Sequence, residues 1–289
     1  MLVLLLQQIV NGLIVGGIYS LTAAGVSLTY GVLQVLNLSQ GEMYMLGAYI
    51  GLSIVTSLHA PYWVSVVGAF VGIFILGLVT ERVALRPVRR SGTIYAYITT
   101  FAVSFIIQNM AILVWTADPR IFPSRFAQVN LSIGGVYFTL QQLIVFIACW
   151  AIIGALYCLL HFTKGGLAIR AVSQGIDTAS LMGIPVNAVI ALTFGLATGL
   201  AGVAGALIGP SLLVFPSMGS LTGMKIYAVI LMGGLGNVFG TCMAGFLLGA
   251  VEGLFNAFVG STFRDILPFA VIIGILLYKP SGLFSRSRN

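Results

Sequence analysis

Two histidines and six carboxylates are all that this 289-residue chain holds of the side chains that most often serve as general acids and bases. His59 sits in an H-A-P turn and His161 at the edge of an apolar run, and no H-E-x-x-H pair exists to hold zinc. Asp118, Asp177 and Asp265 fall in loops, which leaves no aspartyl dyad within the apolar segments. Met218-Gly219-Ser220 only superficially neighbours the G-x-S-x-G elbow of a serine hydrolase. Gly234-x-Gly236-x-x-x-Gly240 lacks the strand and the spacing of a nucleotide loop, and helix packing explains it better. No enzymatic reaction, cofactor or metal site is expected.

Glu42 and Glu252 are the acids inside apolar runs. An intramembrane carboxylate costs a few kcal/mol on insertion scales, about 2.5–3.5, so each must face protein or water. Either can brace helices or contact a solute. Glu42 has polar company in Asn37, Ser39, Gln40 and Tyr44, and these five are the candidate lining of a solute path. Glu252 is flanked by Gly249 and Gly253, and no basic residue is expected at membrane depth to pair with either acid. That argues against an ion-coupled carrier with a charge relay.

The composition sets the class that must position these groups. Hydrophobic residues make up 59% and charged residues 7%, against roughly a quarter charged in soluble domains, and the mean hydropathy is +1.10. The fold class is therefore all-α, a polytopic membrane protein of roughly eight spans, read as a single membrane domain over residues 1–289. Its 36 glycines suit closely packed transmembrane helices. The net charge of +7 sits mostly at segment ends, where it sets orientation, and no nucleic-acid partner is implied. Cys149 and Cys158 would lie about 13 Å apart along one helix, too far to bridge. The first residues lack a basic leader and a small-residue cleavage site, so a retained first helix is expected.

Spans are expected at about residues 5–30, 41–58, 62–80, 94–116, 140–160, 188–214 and 266–278. Residues 31–40 end in N-L-S-Q, a helix-breaking stretch at membrane depth. Arg82, Arg86, Arg89 and Arg90 form a short basic loop that marks the cytoplasmic side. Residues 118–138 make the longest outer loop, with a hairpin at Gly134-Gly135, and 215–224 is a second outer link. Residues 225–258 are too long for one span and too short for two, so a half-helix, a glycine turn and a returning helix are expected there. Gly233, Gly234, Gly236 and Gly240 form that break, and Lys279, Arg286 and Arg288 then end in the cytoplasm. Both breaks follow a glycine-rich helix, which suggests an internal repeat of discontinuous helices.

Residues 163–187 cannot live in lipid. Gly165 and Gly166 are expected to end one helix, 167–173 to make a short second one, and Gly175 to supply a left-handed cap. Asp177 would cap a further helix over 178–182, which Gly183 and Pro185 stop. Two short amphipathic helices on the basic side make a docking surface, with Arg170, Asp177, Leu181, Met182 and Gly183 as its candidate contacts.

The runs N-G-L-I-V-G-G-I-Y-S-L-T-A-A-G-V-S-L-T-Y-G (11–31) and N-L-S-Q-G-E-M-Y-M-L-G-A-Y (37–49) resemble the permeases of bacterial branched-chain amino acid ABC importers. A-S-L-M-G-I (179–184) and V-I-L-M-G-G-L-G-N-V-F-G (229–240) do so too, and the resemblance covers almost the whole chain in order. Family members more often carry histidine where this chain has Gln40. The resemblance implies an import permease of the bacterial cytoplasmic (inner) membrane, paired with a second homologous permease. Two ATP-binding subunits would sit below and an extracytoplasmic solute-binding protein above, with energy arriving through residues 163–187. Permeases for urea and short amides look closely similar, and a passive channel would share the glycine-rich helices without needing the inner loop.

Overall fold

The first glycines of the chain are spaced so that a second helix can lie directly on the first. The structure is a computed structural model that describes residues 2–89, 91–133 and 135–259, together with 270–271, 273–274, 277 and 282–284. Helix α1 (Leu2–Leu33) carries Gly12 and Gly16 on one face. A Cβ on Gly12 would strike the backbone of Gly249, and one on Gly16 would come within 2.9 Å of the Gly245 carbonyl. Both partners belong to α11 (Val238–Val259), which runs antiparallel to α1, and Ser20 Oγ donates to the Cys242 carbonyl at 2.7 Å across the same seam. Backbones this close gain dispersion contacts that a side chain would remove.

The other buried helix, α9 (Val186–Ile208), serves two neighbours. Gly202 receives Gly47 of α2 (Gln40–Ser57) on one side and Ile73 of α3 (Tyr62–Thr80) on the other. The helices α5 (Thr93–Trp115) and α6 (Leu140–Phe162) lie outermost, and few of their side chains are buried. Among the described residues six helices are long and apolar enough to cross a membrane, and α2 and α10 (Met218–Gly233) are added to them. The fold is all-α and polytopic, with two small sheets at one end. Most of the span expected at 266–278 and the residues Arg90, Gly134, Asp265, Lys279, Arg286 and Arg288 lie outside the described residues.

That end gathers the N-terminus of α1, whose Gln7 Oε1 accepts from the Tyr137 amide at 2.6 Å. Strands β2 (Asn130–Ile133) and β3 (Val136–Thr139) pair antiparallel as the expected hairpin. Strand β1 (Arg120–Ile121) pairs with β4 (Leu213–Val214), tying the outer loop to the link after α9. The opposite end holds the end of α1, the basic segment after α3, residues 163–187 and the turn between α10 and α11.

Several boundaries differ from expectation. The basic residues after α3 form no loop: the helix continues through a π turn (Glu81–Leu85) into α4 (Arg86–Val88). Buried Glu81 explains this, because Arg89 reaches back to it at 3.6 Å and also donates to Asn187 Oδ1 at 2.6 Å. Gly165 and Gly166 open α7 (Lys164–Gln174) instead of closing α6, with Thr163 as N-cap accepting from the Gly166 amide at 3.0 Å. A Cβ on Gly166 would collide with the last carbonyls of α6, at Leu159 and Leu160, so glycine lets α7 fold back against that helix. Gly175, at φ 177°, is extended and not left-handed, and Asp177 lies in the first turn of α8 (Ile176–Leu181), not at its cap. The outer link after α9 falls at 209–217 instead of 215–224, since α9 ends at Ile208 and α10 already starts at Met218.

Candidate functional site

Helices α2 and α10 both begin in the middle of the protein, and they begin against each other. Gln40, the first residue of α2, donates from Nε2 to the carbonyl of Ala197 at 2.8 Å, halfway along α9. Gly219 in the first turn of α10 lies so close to Gly41 that a Cβ on Gly41 would strike its carbonyl. The break expected near 31–40 is observed over 34–39, with Gln34 at φ 54° where the chain leaves α1.

Backbone without a helix at this depth must find partners, because no water or lipid group supplies them. The cluster finds them within itself. Asn37 Oδ1 accepts from the Ser39 hydroxyl at 2.7 Å and the Ser39 amide at 3.1 Å, while Asn37 Nδ2 donates to Gln40 Oε1 at 3.1 Å. Tyr227 of α10 donates its hydroxyl towards the carbonyls of Leu38 (2.9 Å) and Asn37 (3.2 Å). Asn37, Ser39, Gln40, Glu42 and Tyr44 are all buried. The first three brace the junction. Tyr44 turns to the other side of α10, where it shares a cavity with Thr222.

Glu42 is different. Its Oε1 accepts from Ser220 Oγ at 3.3 Å, but Oε2 has no hydrogen-bond partner among the described residues. The carboxylate stands in the first turn of α2 and against the first turn of α10, so the positive dipole ends of two helices converge on it. It lines a pocket of about 280 Å³ whose other walls include Phe101, Phe105 and Gln108 of α5.

Glu252 does have a basic partner, contrary to expectation. Lys225 Nζ lies 2.8 Å from Glu252 Oε1, and Lys225 is itself buried. The sequence places Lys225 at what looks like the edge of a span. With α10 starting seven residues earlier the lysine falls in the second half of its second turn, inside the bundle. Lys225 and Tyr44 line a second cavity, about 480 Å³, between α1, α10 and the end of α9.

The glycine break closes the opposite end. Gly234 (φ 90°) and Gly236 (φ 80°) adopt left-handed conformations open to glycine, and the carbonyl of Gly234 accepts from the Asn237 amide at 3.1 Å. Gly233 and Gly240 pack on each other's backbone. The half-helix, turn and returning helix are as the sequence predicts.

On the same end α7 and α8 stand exposed. Leu181 (87%) and Met182 (79%) project from the tip of α8, beside exposed Asp177, and Gly183 (φ 78°) turns the chain away. Arg170 is exposed on α7. A groove lined by Arg82, Arg86 and Ser180 runs between this tip and the extended end of α3.

Sequence reasoning missed Ser220, Tyr227, Lys225, Phe101 and Phe105. One signal was available: Ser220, Gly223, Met224 and Tyr227 recur at helical spacing, the stripe that faces Glu42 and Leu38.

The model of the family described as the permease component of branched-chain amino acid transport systems matches residues 8–276. The high-affinity branched-chain amino acid transport system permease protein LivH of Salmonella typhimurium is 32% identical over 97% of this chain and 96% of its own length. LivH of Escherichia coli K12 is 32% identical over the same shares. BraD, the corresponding protein of Pseudomonas aeruginosa, is likewise 32% identical, covering 97% of this chain and 96% of its own length.

Proposed function

This chain belongs to the family of branched-chain amino acid transport permeases, and from that premise we propose that it carries branched-chain amino acids inward across the cytoplasmic membrane. It is a multi-pass permease subunit. In this reading a single membrane domain pairs with a second, similar permease. Two ATP-binding subunits drive the pair, and an extracytoplasmic binding protein supplies the solute.

The observation that carries the reading is the junction at Glu42. Two helices start there in mid-protein, and their N-terminal dipole ends, a buried carboxylate and a pocket meet in one place. Such interrupted helices are how membrane proteins build polar solute sites without exposing backbone to lipid. Asn37, Ser39 and Gln40 hold the junction rigid, and Glu42 and Tyr44 reach the cavities beside it.

Energy arrives from outside the chain. The exposed tip of α8, with Leu181, Met182 and Gly183, and the nearby Arg170 and Asp177 form the contact with the ATP-binding subunits. Isolated apolar side chains on a polar rim suit insertion into a cleft of a soluble partner. A passive channel has no use for such a tip.

Reconstitution with the partner subunits tests this. Labelled L-leucine should accumulate in proteoliposomes only with ATP and the binding protein present. Uptake that proceeds without ATP would establish a channel, and uptake of urea or acetamide in preference to leucine would establish an amide permease.

A further inference from the structure

The Glu42 pocket opens sideways, on the face shared by α5 and α10. Glu42 lines it, a carboxylate that is only 5% exposed and whose Oε2 is buried with no hydrogen-bond partner among the described residues. One wall is aromatic: Phe101 and Phe105 meet edge to face with ring centroids 4.9 Å apart, and both remain about half exposed. Among the described residues no lysine or arginine lines the pocket, and Lys225 faces Glu252 from the other side of α10.

A buried carboxylate with one oxygen unsatisfied costs free energy until a donor, preferably a charged one, reaches it. The two helix N-termini already have their anion in Glu42 itself, so a second carboxylate entering here would meet like charge. What the pocket lacks is a cation. The aromatic wall beside the carboxylate favours an ammonium over a guest without charge, and leaves the apolar remainder of a small solute in contact with rings.

We infer that the Glu42 pocket binds the ammonium group of a zwitterionic amino acid, the Glu42 carboxylate accepting its hydrogen bond while Phe101 and Phe105 cover the apolar side chain. This rests on the reading of the chain as an amino-acid permease and names the group of the solute that it recognises.

The test uses the complete transporter in proteoliposomes, with labelled L-leucine and saturating binding protein. Glu42→Gln keeps the shape and the bond to Ser220 but loses the charge. It should assemble normally and take up leucine about tenfold more slowly or worse, the loss of a hydrogen bond between charged partners. Ser104→Trp, placed on the half-buried α5 wall, fills the pocket without touching the junction and should also depress uptake. Wild-type uptake in both variants overturns the inference. So does a Glu42→Gln variant that fails to assemble while Ser104→Trp transports normally, because Glu42 is then a brace. A wild-type transporter that carries a different ammonium-bearing solute defeats the choice of substrate alone, and the variants are then scored with that solute. If it carries urea, and Glu42→Gln carries it equally fast, both readings fall.

Discussion

Lys225 Nζ and Glu252 Oε1 lie 2.8 Å apart inside the bundle, joining α10 to α11 across the glycine turn. The ammonium also stands 5.9 Å from the centre of the Tyr19 ring on α1. Removing one partner leaves the other charge buried, a loss of about 3–5 kcal/mol, whereas replacing both with apolar groups of similar volume is often neutral. Lys225→Met or Glu252→Gln should each lower the yield and melting temperature of the purified complex. The double variant Lys225→Met/Glu252→Met should recover most of both. Additive losses in the double variant would show that the pair is not coupled.

Asn37→Ala removes the acceptor of two hydrogen bonds and the donor of a third. With Ser39 and Gln40 buried and deprived of a partner, the loss should be about 1–3 kcal/mol. Thermal unfolding in detergent reads this directly. It separates the bracing residues from Glu42, whose neutral variant should unfold like the wild type.

Leu181→Arg should leave the isolated permease as stable as before, within about 0.5 kcal/mol, because the side chain is 87% exposed. Solute-stimulated ATP hydrolysis by the assembled transporter should nonetheless disappear. Wild-type stimulation in this variant would remove α8 from the coupling path.

Gly236→Ala tests conformation without crowding. Its nearest neighbour, Gly31 Cα, would lie 3.6 Å from the new Cβ, which leaves room, but a residue at φ 80° costs about 1–2 kcal/mol in the left-handed region. Gly154→Ala is the contrast. Nothing lies within 4 Å of that position in the interior of α6, and alanine there should stabilise the helix by up to about 1 kcal/mol. Melting temperatures should therefore move in opposite directions.

The class of the protein, the two breaks in its helices and the polar inner segment were legible in the residues themselves. Each depends on something local. Twenty apolar residues need no partner to prefer lipid. Gln34 to Ser39 and Gly234 to Gly236 break a helix through their own side-chain competition or backbone freedom, and Lys164, Arg170 and Asp177 exclude residues 163–187 from hydrocarbon whatever lies beside them.

Which faces meet was decided only by the tertiary structure. A soluble helix announces its inner face by polarity, but α5, α6 and α11 are apolar nearly all round, so periodicity carries little information about orientation. Nothing in the local sequence brings Ser220 to Glu42, 178 residues away, or stations the two helix starts at one depth. The extension of α3 is of the same kind: Arg82 and Arg86 read as a loop until Glu81 is seen buried, with Arg89 bridging it to Asn187. Charges at a membrane edge favour water, and only a partner supplied by a distant segment makes a helix there the lower free energy.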